Sequence, residues 1–244
     1  LERSQPMSSD DLVLPEGTEH QVLAAEDGYV DAIEPGRLLR FARDVGATVV
    51  FGIRSGDFVI KGAPLATVFN DPDRTLDNEI RAAAALLDVR TPEGDLRFSV
   101  NLLVEISLRA LSPGVNDTFT AIACVDRLSA ALATARSRDL SLGVFVDAEG
   151  VARVVSPTVT AYTLFIEAFP PLRRASRRNG LMTDAIHRAI ARMLQSAQPE
   201  RRQTMIEELQ LLAEEVAASE QLDSDRNTLI QAIEATLETY RQDT

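Results

Sequence analysis

The sequence predicts an α+β chain, with a small closed β module first and then a mainly helical domain carrying one β-hairpin. Three observations predict it. Residues 18–72 run in short apolar stretches punctuated by Gly, Pro, Asp and Ser, the pattern of short strands and tight turns. From Arg74 onward, apolar residues recur every three or four positions, as on a helix with one buried face. Within that region Leu142–Val146 and residues 151–155 read as two strands around Asp147-Ala-Glu-Gly150, a hairpin near 142–155.

Taken in order, residues 1–17 are polar and read as a linker or an expression remnant. The absence of Met at position 1 indicates a fragment of something longer. Strands are expected at 21–24, 28–33, 47–53, 57–61 and 65–69, with a short amphipathic helix at 37–44. That helix places Leu38, Phe41, Ala42 and Val45 on one face. Residues 73–244 form the helical domain, with helices at 74–88, 95–111, 116–136, 158–178, 181–196, 199–219 and 225–241. Pro199 suits a first helical turn, and Asn179-Gly180 reads as a helix stop.

Composition removes several function classes. The net charge of -12 is concentrated at the two ends: residues 1–72 carry 6 basic against 12 acidic groups, and residues 199–244 carry 4 against 11. Nucleic-acid binding needs clustered Lys and Arg, so no nucleic-acid partner is expected. Cys124 is the sole cysteine and sits among Ile122, Ala123 and Val125, which indicates a buried, inert thiol. His20 and His187 are the two histidines and lie far apart, which argues against a His-based metal site or a Cys-His pair. No phosphate loop, dinucleotide fingerprint or nucleophile elbow occurs, so no catalytic residue, cofactor or metal is assigned. No run of about 18 apolar residues exists to span a membrane.

Two polar groups stand out. Between two apolar helical stretches lies Arg109-Ala-Leu-Ser-Pro-Gly-Val-Asn-Asp117, where Pro and Gly interrupt the helix and Asn or Asp can cap its successor. Asp95, Arg97, Glu105, Arg109, Asn116, Asp117, Asp126 and Arg127 crowd around this break, with Glu105 and Arg109 one helical turn apart. They form either a structural network or a ligand site in which Asp117 serves as acid or base. Arg173, Arg174, Arg177 and Arg178 end the 158–178 helix. They complement its negative end, or they dock anionic lipid headgroups, an acidic ligand or an acidic partner surface.

Gly28-Tyr-Val-Asp-Ala-Ile33 and Arg54-Ser-Gly-Asp-Phe-Val-Ile-Lys-Gly-Ala-Pro-Leu-Ala-Thr-Val68 resemble the two halves of a biotinyl/lipoyl-like barrel, or barrel-sandwich hybrid. The segment between the halves lacks the lysine that a carrier domain modifies, and Lys61 falls in the closing turn, so a structural or adaptor role is expected. A second resemblance covers most of the chain from Gly28. Glu105-Ile-Ser-Leu-Arg-Ala-Leu-Ser-Pro-Gly-Val-Asn-Asp117, with Thr120-Ala-Ile-Ala-Cys-Val-Asp-Arg-Leu128, resembles a bacterial family of predicted membrane proteins, domain of unknown function 2254. Gly28-Tyr-Val, Ser55-Gly-Asp-Phe-Val59, Arg90-Thr91 and Asp95 are similar to its pattern in the same order, as is the stretch from Tyr162 to Arg174. The chain departs from that pattern at Ser99 and Asn101, where Gly-x-Arg is expected, and at Thr118, where Pro is expected.

The resemblance implies N-terminal transmembrane helices that this chain lacks, an inner-membrane location, and a place on the cytoplasmic side. It brings Arg90 into the candidate set with Asp95, Glu105, Arg109, Ser112, Asn116 and Asp117. The leading expectation is a non-enzymatic regulatory or assembly domain whose partners are its own membrane helices, a second copy, or an anionic lipid surface. A small-molecule sensor or enzyme at Asp117, and a gating domain of a channel or transporter, are the competing readings.

Overall fold

Valine- and threonine-rich runs become strands wherever a neighbouring edge can receive them, and most Ala/Leu-rich runs become helices. The computed structural model describes residues 3–7, 15–91, 95–135, 142–199, 202–219 and 222–241. The chain opens with β1 (Arg3–Met7), β2 (Glu19–Leu23), β3 (Gly28–Ile33), α1 (Pro35–Val45), β4 (Thr48–Phe51) and β5 (Phe58–Val59). It continues through β6 (Pro64–Phe69), α2 (Asp77–Ala83), β7 (Ala84–Leu87), α3 (Leu96–Ala110) and α4 (Thr118–Ala135). The hairpin β8 (Leu142–Val146) and β9 (Ala152–Pro157) precedes α5 (Ala161–Ser176), α6 (Gly180–Ser196), α7 (Gln203–Ala217) and α8 (Asp223–Arg241). The fold is α+β. Its contacts divide it into two units, Leu1–Phe98 with Asp139–Thr160, and Ser99–Arg138 with Ala161–Thr244.

In the first unit, six strands run in the order β1-β8-β9-β4-β6-β2, and three more run β5-β3-β7. β4 and β9 pair in parallel, Val49 opposite Val154 and Val50 opposite Val155, while the other pairs are antiparallel. Both β4 and β9 are buried at consecutive positions rather than alternate ones, as expected of central strands covered on both faces. α1 packs on β8 and β9. It buries Leu38, Leu39 and Ala42 and leaves Phe41 and Val45 exposed, so the buried stripe is rotated from the expected 38-41-42-45 face. Gly46 ends it at φ 76°, with Gly46 N–H donating to Arg43 O and Ala47 N–H to Ala42 O. This paired closure requires the left-handed conformation that glycine adopts without strain.

The edge strand β2 has its outer carbonyls covered. Arg74 donates to Gln21 O and Arg81 to Leu23 O, which removes acceptors that would otherwise recruit another strand.

Four expectations are corrected here. The sheets do not close into a barrel: β8 and β9 occupy the free side of β4, β7 takes the free side of β3, and no biotinyl/lipoyl-like closure forms. The hairpin at 142–155 belongs with the first unit's sheet rather than with the helices, so the expected boundary at 72/73 does not match the contact division. Residues 84–87, expected to continue the helix begun at 74, form β7, because pairing with β3 outweighs the helix preference of alanine. Within the supposed linker 1–17, Arg3–Met7 is a strand paired with β8. Residues 8–14 of that linker, and Arg136 at the expected end of the 116–136 helix, lie outside the described residues.

The second unit is helical, with α6 packing against α4, α5, α7 and α8. Met182, Ala185, Ile186, Ala189, Ile190, Met193 and Leu194 bury a broad stripe of it, as suits a helix with four neighbours, while Leu181, Arg188, Arg192 and Gln195 form its exposed face. Asn179 is its N-cap, accepting from Met182 N–H at 3.1 Å, so Asn179-Gly180 opens α6 as well as following α5. α5 continues through Pro170 and Pro171, its buried face carried by Leu164, Phe165, Ala168, Phe169 and Leu172, with the Phe165 and Phe169 rings stacked at 4.8 Å.

His187 on α6 is buried. Its Nε2 lies 2.9 Å from Thr236 Oγ1, whose hydroxyl donates to Ala232 O, while its Nδ1 is buried without a partner. Nε2 therefore carries the proton. Burial pushes the imidazole pKa down, with Asp184 opposing and Arg188 reinforcing. A histidine with a depressed folded-state pKa favours folding above its unfolded value of about 6.5 and loses that advantage as pH falls toward the folded value. His187→Gln keeps a donor to Thr236 and does not titrate. Thermal unfolding is expected to show the wild type losing stability relative to this variant between about pH 7 and 5; a constant difference would contradict the assignment.

Candidate functional site

The motif residues of the first unit converge on one turn. In Arg54-Ser-Gly-Asp57, Asp57 Oδ2 accepts from Arg54 N–H at 2.9 Å. Gly56 N–H donates to Val30 O, and Val30 N–H donates to Asp57 O. These bonds fasten the turn to Gly28-Tyr-Val-Asp31. Asp95, 3% exposed, receives Arg90 Nε at 2.9 Å and Arg90 Nη2 at 2.5 Å on one oxygen. Its other oxygen accepts from Phe98 N–H at 3.1 Å, capping α3. The Arg90 guanidinium lies over the Phe98 ring, 5.6 Å from its centroid.

Two further bonds close the cluster. Arg97 Nη1 donates to Asp57 Oδ1 at 2.5 Å, and Thr91 Oγ1 to Asp31 Oδ1 at 2.5 Å. Gly56 has φ 85°, and a Cβ there would lie 2.3 Å from Asp95 Oδ2 and 2.8 Å from Arg90 Nη2. The turn can approach the ion pair only without a side chain. The expectation named Arg90, Asp95 and Arg97, the last as part of the helix-break cluster; it missed the approach of Gly56 and the neighbouring pairs Asp57–Arg97 and Asp31–Thr91.

The helix break lies in the second unit and satisfies its own backbone. Ser112 N–H donates to Arg109 O, Val115 and Asn116 N–H to Ser112 O, and Asp117 N–H to Ala110 O. Asn116 takes φ 49°, a left-handed value that asparagine tolerates. Asp117 caps α4, accepting Thr120 Oγ1 at 2.6 Å and Thr120 N–H at 3.1 Å. These bonds from the Thr120 hydroxyl and N–H hold its carboxyl below the usual range. It is thus kept ionised for capping, the reverse of the raised value that suits a general acid.

Glu105 and Arg109 pair at 2.5 Å on the exposed side of α3, and Asp126 pairs with Arg192 of α6 at 2.6 Å. Within the second unit these are separate local pairs. At the departure from the family pattern, Thr118 is the first residue of α4, where proline is also accommodated, and its hydroxyl accepts from Asn179 Nδ2 at 2.7 Å.

The arginine patch is corrected. Arg173 is buried and donates to Glu208 at 2.7 Å and to Glu215 of α7, and Arg177 also donates to Glu215 at 2.9 Å. Arg173 is thus committed inside the unit, while Arg177, though paired, is exposed, as are Arg174 and Arg178. Cys124 is buried, and burial raises its thiol pKa. Among the described residues, no three His, Cys, Asp or Glu side chains gather as a metal site.

Around the break, apolar side chains face outward: Leu102 and Ile106 on α3, Val115 at 62% and Phe119 at 76% exposure. The polar motif residues of this α+β chain are spent on turns and caps, and exposed apolar residues lie beside the helix-break motif.

The comparisons with known proteins supply its kinship. The chain belongs to a family described as Predicted membrane protein (DUF2254), whose model matches residues 2–192. An uncharacterized protein of Mycobacterium tuberculosis is 27% identical over 218 residues, covering 86% of this chain and 42% of the relative. An uncharacterized protein of Mycobacterium bovis is 26% identical over the same coverage. The chain thus spans about two fifths of the length of these curated relatives. No solved structure matches it significantly. Among the described residues, no helix is long and apolar enough to cross a membrane.

Proposed function

We propose that this region is a non-enzymatic assembly domain of a membrane protein, with the α3–α4 break as its contact surface. The observation that carries the reading is the outward display of Leu102, Ile106, Val115 and Phe119 around Ser112-Pro-Gly-Val-Asn-Asp117. A break with a self-satisfied backbone and a capping carboxylate presents these side chains rigidly, which lowers the entropic cost of association. The favoured partner is a second copy of the chain, since a symmetric contact needs only one self-complementary patch. Family membership supports a place beside membrane-spanning helices of the same polypeptide, and we assign the domain to the cytoplasmic side of the inner membrane.

Sedimentation velocity over a graded concentration series tests this reading. The chain is expected to self-associate, and Phe119→Asp with Val115→Asp to shift it to monomer without changing its helical circular dichroism. A wild-type chain monomeric throughout the series, or variants that associate equally, would reject the assembly surface.

A further inference from the structure

We infer a second site, a groove in the first unit that takes a small uncharged molecule with an apolar body and a hydrogen-bonding head. The groove has a volume of about 290 Å³ and is lined by Ser55, Leu96, Gly143, Phe145, Ser156 and Thr158, among others. Two of these come from the motif segments already described: Ser55 precedes Gly56 in the fastened turn, and Leu96 follows the capping Asp95.

The groove's chemistry is uneven in an informative way. Thr158 Oγ1 is buried and has no hydrogen-bond partner among the described residues. A buried hydroxyl left unmatched is costly, so a bound polar group or a water is expected there. Leu96 stands on the rim at 62% exposure and Phe145 is half-buried, giving an apolar wall. Gly143 keeps the groove floor low, since a Cβ at that position would lie 3.3 Å from the Phe145 ring and 3.6 Å from Thr158 Cγ2.

Among the described residues no charged side chain lines the groove, and the guanidinium of Arg90 is already committed to Asp95. An ionised ligand would lose its hydration here without gaining a counter-charge. The arrangement therefore selects a neutral head that both donates and accepts, at the end of the groove where Ser55, Ser156 and Thr158 lie, with a short aliphatic tail on Leu96 and Phe145. The site lies wholly in the first unit and does not depend on the assembly surface.

Hexanamide and its charged counterpart hexanoate are the probes, titrated into the ¹⁵N-labelled 244-residue chain and followed by amide chemical shifts. Hexanamide is expected to give saturable shifts at about millimolar concentration, centred on Ser55, Leu96, Phe145 and Thr158. Hexanoate is expected to bind at least about tenfold more weakly. Thr158→Val, which keeps the shape and removes the hydroxyl, is expected to weaken hexanamide about three- to tenfold. Leu96→Ala, at an exposed position where folding is not at stake, is expected to weaken it about threefold. Shifts that fail to saturate, hexanoate binding as well as hexanamide, or undiminished binding in both variants would overturn the assignment. A groove holding only water gives the first of these results.

Discussion

Replacing Asp95 by alanine is expected to destabilise the first unit by about 3 kcal/mol, measured by chemical denaturation. Two losses combine. Arg90 keeps its guanidinium largely out of water, 21% exposed, with its carboxylate gone, and α3 loses the acceptor for Phe98 N–H. Asp95→Asn keeps an oxygen for the cap but not the charge, and is expected to cost about half as much. Gly56 supplies an internal check. Gly56→Ala drives a Cβ to 2.3 Å from Asp95 Oδ2 at a positive φ of 85°, so by itself it is strongly destabilising. In the Asp95→Ala background the clash with the carboxylate disappears, leaving the backbone strain and the 2.8 Å approach to the movable end of Arg90. The two substitutions are therefore expected to be less than additive, with a coupling of about 1 kcal/mol or more. Strict additivity would mean that the turn and the ion pair do not press on one another.

Arg173→Met is expected to cost the second unit about 3–5 kcal/mol, because it strands two carboxylates among packed helices. Glu208 is 6% exposed and Glu215 is 17% exposed, and Arg173 serves both. Arg177, itself on the surface, retains its bond to Glu215, so Glu208 bears most of the loss. Converting the partner as well, in Arg173→Met with Glu208→Leu, is expected to recover most of the stability, since an apolar pair of similar volume replaces a desolvated one. If Arg173→Met unfolds at the wild-type denaturant midpoint, Arg173 is not the buried hub described here, and the reading of this segment as a surface patch regains its footing.

Local features of the fold were legible in the sequence, and long-range ones were not. Period-three-and-four runs located α3 to α8, and the four-residue spacing of Glu105 and Arg109 announced a pair that forms. Asn116 or Asp117 was readable as a cap from its place after Pro113-Gly114, and Asp117 is the one that caps α4. What local pattern does not encode is the identity of the neighbouring strand. Val49 and Val154 meet across more than a hundred residues, so the hairpin's place in the first sheet was invisible, as was the loss of barrel closure. Ala84–Leu87 carries the composition of a helix and becomes a strand because β3 has an edge to offer.

The site divides in the same way. Arg90 and Asp95 could be nominated from motif order, but their packing under Gly56 depends on a turn some forty residues upstream. The available clue was the Ser-Gly-Asp turn itself, which asks for a positive φ at its glycine. Arg173 was misplaced for a related reason, because its acceptors lie on α7. Glu208 and Glu215, seven residues apart on the face that also carries Leu209, Leu212 and Val216, were the signal that a cation had to meet them there.

The central claim is that the motif at the helix break shapes a contact surface rather than a reaction centre. Hydrogen–deuterium exchange at low and high protein concentration tests it most directly, because it locates the surface as well as detecting it. Added protection at high concentration is predicted in peptides spanning Leu102 to Phe119 and in few others. Exchange that is independent of concentration across those peptides, or protection that rises elsewhere while they remain open, would contradict it.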